Sequence, residues 1–250
     1  MMALSMMMME ILLRNLKKII KTLSVFSFWY NWAMRYVIFD FNGTILDDVD
    51  LSVDCINKTI KHYLYREPLS KEEYKNIFTF PVKKYYENAG FDFDQFDWYE
   101  VGQYWMDLYL KDEDKCKLND GILDLLLNNQ KKGIKNVVLS ASRIDILKSQ
   151  LKRLGILECF DEVLGIDNIY ATSKLPIALN FIEDKDRDEC MMIGDTIHDK
   201  EVADAMGIRC ALVSIGHQNK ETLLEVCDEV YDDIRSIKIW ELDNHRIFTV

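Results

Sequence analysis

The chemically suggestive residues of this 250-residue sequence are polar groups that directly follow short apolar runs. Tyr36-Val37-Ile38-Phe39 stops at Asp40 before Asn42-Gly43, Val137-Val138-Leu139 stops at Ser140, and Met191-Met192-Ile193 stops at Gly194-Asp195. An aspartate at the end of a buried strand contributes little to packing, but it can attack an electrophile or hold a cation. The plainer reading is a turn-forming carboxylate that satisfies loop amides. Asp195 and Asp199, four apart, put two carboxylates on a loop that enters a helix. Mg2+ takes hard oxygen ligands and only one or two protein carboxylates, so Asp40 and Asp195 suit it and Asp199 is left to orient a neighbour. Lys174, in Thr172-Ser173-Lys174 where a helix opens, adds an ammonium group. Taken singly, Lys174 reads as a solvated charge and Ser140 as a helix cap; together with two aspartates they read as a site.

Those residues need elements that bring them together. From Asp120 onward, strand-like and helix-like segments alternate, with Gly133, Gly155 and Gly207 closing helices and Cys210-Ala211-Leu212-Val213 and Glu229-Val230-Tyr231 as further strands. This order predicts an α/β protein with a Rossmann-like parallel sheet, right-handed crossovers and helices on both faces. Parallel strands present their carboxyl ends at one edge, so Asp40, Ser140 and Asp195 should converge there with Lys174. Residues 51–115 differ: Val53-Ile56-Asn57-Ile60 and Tyr99-Tyr104-Leu108 recur at helical spacing, Ser70 reads as an N-cap, and Phe80-Pro81 marks a break. The expected organisation is a catalytic core of residues 35–50 and 116–236, a helical cap of 51–115 and a tail of 237–250. The cap, inserted after the first strand, would lie over that strand's end as a lid.

Residues 1–34 stand apart, with Met6 to Met9, basic Arg14, Lys17, Lys18 and Lys21, and a short apolar run from Val25 to Tyr30. Three readings are open: an export signal, an amphipathic surface helix built on Ile11, Leu12, Leu16, Ile19, Ile20 and Leu23, or an extension outside the fold, with Met34 as the functional start. The apolar run is too short to span a bilayer, and membrane contact is expected, if at all, only through this segment. The composition, 49% hydrophobic and 29% charged, is that of a globular protein. A net charge of -11 disfavours nucleic acid as a partner, since phosphate neutralisation needs clustered Lys and Arg. Small phosphorylated ligands stay open, because a metal ion and a lysine reverse the local field. The six cysteines form no C-x-x-C pair, which fits buried thiols in a reducing, cytoplasmic setting.

Asp40-Phe41-Asn42-Gly43-Thr44, Ser140, Lys174 and Gly194-Asp195-x-x-x-Asp199 resemble, in order and spacing, the four motifs of the haloacid dehalogenase superfamily over about Arg35 to Ile234. The helical stretch between Asp40 and Ser140 is similar to that of the phosphoglycolate phosphatase-like subgroup, and Ile77 to Val82 falls where that subgroup's cap loop approaches the substrate. The resemblance implies a Mg2+-dependent phosphohydrolase of a small phosphorylated metabolite. Asp40 would be the nucleophile, forming an aspartyl-phosphate, and Lys174 would offset the gathered negative charge. Thr44, Ser140, Lys174 and amides near Gly43 would hold the phosphoryl group. Asp40, Asp195 and the main-chain carbonyl of Asn42 would bind the metal, and Asp199 would hold Lys174 or metal-bound water. His198 would be a surface or outer residue. Phosphatases of the superfamily carry an aspartate as general acid-base where this chain has Asn42, and a carboxamide cannot exchange a proton usefully. Slow turnover of alkyl phosphates is therefore expected, with Asn42→Asp raising it. Two alternatives stand beside this reading: a phosphonate-type C–P hydrolase using a cap lysine among Lys58, Lys61, Lys83 and Lys84, and a phosphate-binding protein without efficient catalysis.

Overall fold

Alternation along the strands sorts the apolar residues onto two faces. In a computed structural model that describes residues 34–166 and 173–239, β1 (Tyr36–Phe39) sends Val37 and Phe39 to one face and Ile38 to the other. It lies between β4 (Lys135–Arg143) and β6 (Cys190–Gly194), parallel to both. With β5 (Glu162–Ile166), β7 (Arg209–Val213) and β8 (Val230–Tyr231) they make a six-stranded parallel sheet of order β5-β4-β1-β6-β7-β8. Both faces are covered, which is why the central strands are apolar throughout. On one face Val37, Phe39, Val138, Met191 and Ile193 pack with Ile122 and Leu126 of α5 (Ile122–Lys131) and Leu147 and Leu151 of α6 (Ile144–Arg153). On the other, Ile38, Val137, Leu139 and Met192 meet Ala178 and Phe181 of α7 (Leu175–Ile182) and Val202 and Met206 of α8 (Ile197–Met206). This is the Rossmann-like architecture the alternation predicts.

Strand β4 departs from expectation. It does not stop at Ser140 but continues to Arg143, because its pairing with β5 resumes at Arg143 and Ile166 after a register shift. Ser140 is thus placed by an irregular stretch of strand.

Four helices stand between the short strands β2 (Leu46–Asp47) and β3 (Lys117–Leu118), which pair antiparallel: α1 (Val49–Tyr63), α2 (Lys71–Ile77), α3 (Val82–Asn88) and α4 (Trp98–Asp112). They enclose their own cluster, in which Ile56, Ile60, Tyr74, Tyr85, Tyr86, Phe91 and Val101 are buried. Ser70 caps α2 in a reciprocal capping box with Glu73. The inward face of α4 is not the one that Tyr99, Tyr104 and Leu108 mark, since Tyr99 is exposed and the buried residues are Val101 and Tyr109. Aromatic residues all round this helix blur its periodicity.

Met34, Ile237 and Ile239, assigned from sequence to the extension and the tail, are buried in the first core cluster, because their side chains complete its apolar packing. The readings of residues 1–33 and 240–250 lie outside the described residues. All six cysteines are free thiols, and no described helix is long and apolar enough to cross a membrane.

Candidate active site

Asp40 follows the last residue of β1, and its amide is fixed by the Ile193 carbonyl of the neighbouring strand at 2.8 Å. Its carboxylate receives a bond from the Nζ of Lys174, which is buried just before α7. The same ammonium donates to Asp199 Oδ1 at 2.5 Å and lies 3.4 Å from the Leu139 carbonyl at the end of the apolar part of β4. The ends of β1 and β6, the middle of β4 and a helix start therefore converge at one edge of the parallel sheet. Carboxylate oxygens of Asp40, Asp195 and Asp199 lie within 4.8 Å of one another. Asp199 has little left to offer a cation. Its Oδ2 accepts from the amides of Asp195 and Thr196 and from the Thr196 hydroxyl, which closes the capping box of α8, while Oδ1 holds Lys174.

Asp195 sits in a cradle that fits only glycine neighbours. A Cβ at Gly43 would come 2.3 Å from Asp195 Oδ2 and one at Gly216 only 2.1 Å. Gly43 has a φ of +73°, so a side chain there would also be strained. Asp195 Oδ1 accepts from the Thr44 hydroxyl at 3.0 Å and Oδ2 from the His217 amide at 2.6 Å. Thr44, expected at the phosphoryl group, thus places its hydroxyl on Asp195. The Gly43 amide, expected there too, donates to Asp48 Oδ1 at 2.8 Å. Ser140 is buried, its oxygen accepts from the Ser142 amide at 3.0 Å, and among the described residues its own hydrogen has no acceptor.

The electrostatics are those of carboxylates short of positive charge. Burial, reinforced by Asp199 and Asp195, pushes Asp40 up to about 8 against the pull of Lys174. Burial and Asp199 push Asp195 up to about 6, against His217. Burial acts to lower Lys174, but Asp199 and Asp40 outweigh it and hold the ammonium above the usual lysine range. Asp199 is held below the carboxylate range because Lys174 overcomes its burial. Two hard-oxygen donors raised in this way, in a cradle too tight for a Cβ, are the donor set a small divalent cation fits.

Residue 42 is surrounded by groups that the sequence did not single out. The carboxamide nitrogen of Asn42 donates to Asp48 Oδ2 at 2.8 Å and to the Tyr109 hydroxyl at 2.9 Å. Its oxygen accepts from the Ser142 hydroxyl at 3.2 Å. Tyr109 in turn donates to Asp48 Oδ2 at 2.7 Å. His217 places Nε2 3.4 Å from Asp48 Oδ1 and pairs Nδ1 with the Tyr74 hydroxyl at 2.8 Å. Burial tends to raise Asp48, but His217, Asn42 and Tyr109 together hold it below the carboxylate range. The rule that finds Asp40 and Asp195 would have picked Ser214 after β7; His217 lies three residues further along the same loop, where the sequence gives no signal for it.

The helical insertion reaches this edge through its aromatic loop. Phe78 stacks on His217 with centroids 4.8 Å apart, and Phe80 stacks on His198 at 4.6 Å. His198 is therefore covered by the loop rather than lying on an open surface. Lys75 donates to the Ser214 carbonyl at 3.0 Å and Gln218 to the Phe78 carbonyl at 2.8 Å. Lys58 and Lys84 pair instead with Asp54 and Glu87 on exposed helix faces, and Lys83 lies over the Phe93 ring. None of these three lysines has a contact at the sheet edge that would favour a Schiff-base role.

Comparison with known proteins gives a match to the family model described as haloacid dehalogenase-like hydrolase over residues 37–213. A phosphoglycolate phosphatase of Synechococcus elongatus is 22% identical over 205 residues, covering 78% of this chain and 91% of that one. PpaX of Caldanaerobacter subterraneus, named as a pyrophosphatase, is 26% identical over 183 residues, covering 71% and 80%. Among solved structures, the haloacid dehalogenase-like hydrolase SP0104 of Streptococcus pneumoniae superposes with a TM-score of 0.64 at 18% identity, covering 79% of this chain and 92% of that one. CbbY of Rhodobacter sphaeroides, crystallised with phosphate, gives 0.62 at 17% identity, covering 80% and 94%.

Proposed function

Because this chain belongs to the haloacid dehalogenase-like hydrolase family, we propose that it is a Mg2+-dependent phosphohydrolase of small phosphorylated metabolites whose leaving groups need no proton. The observation that carries this reading is the buried Lys174 ammonium held between Asp40 and Asp199, beside Asp195. Asp40 attacks phosphorus; its bond to phosphorus forms as the bond to the leaving oxygen breaks, and water later hydrolyses the aspartyl-phosphate. Lys174 keeps the nucleophile oriented and offsets the negative charge gathered there. Ser140 donates its uncommitted hydrogen to a phosphoryl oxygen. Thr44 and the His217 amide hold Asp195. Asp40, Asp195 and the main-chain carbonyl of Asn42 would hold Mg2+, which when bound supplies the positive charge that lets an anionic nucleophile approach an anionic phosphate. Asp199, its oxygens already engaged, positions Lys174.

Asn42 decides the substrate class. Its nitrogen is committed to Asp48 and Tyr109, and the oxygen it turns toward Ser142 can accept a hydrogen bond but cannot protonate a leaving group. Acyl phosphates, aryl phosphates and phosphoanhydrides expel stable anions and escape that requirement; alkyl phosphates do not. The likeness to a relative named as a pyrophosphatase supports this class. Phosphate release from aryl, acyl and alkyl phosphates, with and without Mg2+, tests the reading. Aryl and acyl turnover should require Mg2+ and vanish in Asp40→Asn, while alkyl turnover should be slower by about 10²–10⁴. Aryl hydrolysis that survives Asp40→Asn would sink the mechanism.

A further inference from the structure

We propose that Asn42 and Asp48 form an exchanged pair, in which the carboxylate the superfamily resemblance implies at position 42 stands at position 48 and dictates how the residue-42 side chain is oriented. Asp48 is on this view a positioning residue for the reaction proposed above, on which the activity part of the inference rests. The argument is one of donors and acceptors. An ionised carboxylate can only accept, and Asp48 has a donor aimed at every side: Asn42 Nδ2 and the Tyr109 hydroxyl on Oδ2, the Gly43 amide on Oδ1, and His217 Nε2 close to Oδ1. Asp48 is 2% exposed and Tyr109 and His217 5% each, while Asn42 is half-buried. Asp48 also occupies the N-cap position of α1, yet its side chain makes no capping bond there. It is turned away from the helix it precedes and into the site.

A carboxylate at position 42 would set oxygen against Asp48 Oδ2 at the present 2.8 Å, and two ionised carboxylates have no hydrogen to place between them. The back-substitution Asn42→Asp that the sequence recommends is therefore disfavoured while Asp48 is present. Asp48→Asn alone fails in the opposite sense, because the carboxamide nitrogen takes the place of one oxygen and the two donors aimed at that oxygen then face an N–H. Exchanging both closes the count again. The carboxylate introduced at position 42 accepts from the carboxamide nitrogen introduced at position 48 and from the Tyr109 hydroxyl, and the carboxamide oxygen at position 48 accepts from the Gly43 amide.

The test is a double-mutant cycle on the full chain: wild type, N42D, D48N and N42D/D48N, with thermal midpoints and with aryl and alkyl phosphate turnover in Mg2+. Each single variant should lower the midpoint, and the pair should restore most of that loss. Alkyl turnover should stay at or below wild type in N42D and exceed it by about 10²-fold in the double variant, with a flatter dependence on leaving-group acidity. The inference is overturned if N42D alone matches the double variant on alkyl phosphates, or if the two midpoint losses simply add. Should the single variants fail to fold, a folded double variant supports the pair and an unfolded one overturns it. The midpoint cycle needs no turnover, and Asp40→Asn on an aryl phosphate separately tests the phosphohydrolase reading.

Discussion

Lys174 shares one positive charge between two carboxyl groups, and its removal exposes how much of the site is held by charge. Lys174→Met would leave Asp40 and Asp199 facing each other without their shared cation, and breaking a buried ion pair in this way costs about 3–5 kcal/mol, readable as a lower urea midpoint. Proton linkage gives a second prediction. Asp40 is raised from 3.8 to about 8 without metal, so across that window the fold keeps a proton that the unfolded chain has released. Its contribution makes the metal-free protein less stable as pH rises from about 4 to 8. Cation binding must expel that proton, so the rise in melting temperature on adding Mg2+ should be larger at pH 8 than at pH 6; an equal rise at both would contradict the assignment. Lys174 and Asp199 act in the other sense. The stability from Lys174 is lost only as pH climbs through its raised value, and that from Asp199 only on acidification through its lowered one. Asp40, Lys174, Asp195 and Asp199 were legible in the sequence because each falls at the end or start of a strongly patterned element. Asp48 and Tyr109 were not: 61 positions separate them, and nothing in local spacing says that a helix of the insertion bends back to meet the first turn.

At the scale of elements, the loop after β7 and the start of α8 hold the proposed cation site in shape. Gly216→Ala drives a Cβ to 2.1 Å of Asp195 Oδ2, so Mg2+ affinity, followed by calorimetry, should fall by an order of magnitude or more while the fold persists. Thr196→Ala removes the hydroxyl that caps α8 and steadies Asp199, and should cost about 1 kcal/mol in chemical denaturation. The alternation of strands and helices made the sheet readable, since buried parallel strands leave continuous apolar runs such as Val137 to Leu139. Two elements were misread for physical reasons. Strand β4 outlasts its apolar run because a register shift lets Arg143 rejoin the ladder. The inward face of α4 is set by Val101 and Tyr109, which packing selects from several aromatic stripes the sequence offers.

At the scale of the molecule, polar contacts as well as ring stacking join the sheet edge and the inserted helices. Tyr74 on His217, Tyr109 on Asp48 and Gln218 on the Phe78 carbonyl tie the helices to the strand ends. Tyr109→Phe should leave Asp48 and Asn42 each short of a partner, cost about 1–3 kcal/mol and speed amide exchange in α1 and α4. Unchanged exchange in both helices would show that this hydroxyl does not fasten them. The excursion carrying those helices departs and returns on adjacent rungs of one small ladder, with Asp47 opposite Lys117 and Leu46 opposite Leu118. It is therefore built like a detachable loop, and a two-residue hairpin joining those rungs would span the gap it leaves. A shortened chain of that kind would keep the nucleophile, the ammonium and the cation ligands while discarding Tyr74, Phe78 and Tyr109. Any residual hydrolysis would then belong to the sheet edge, and any lost discrimination to the excised helices.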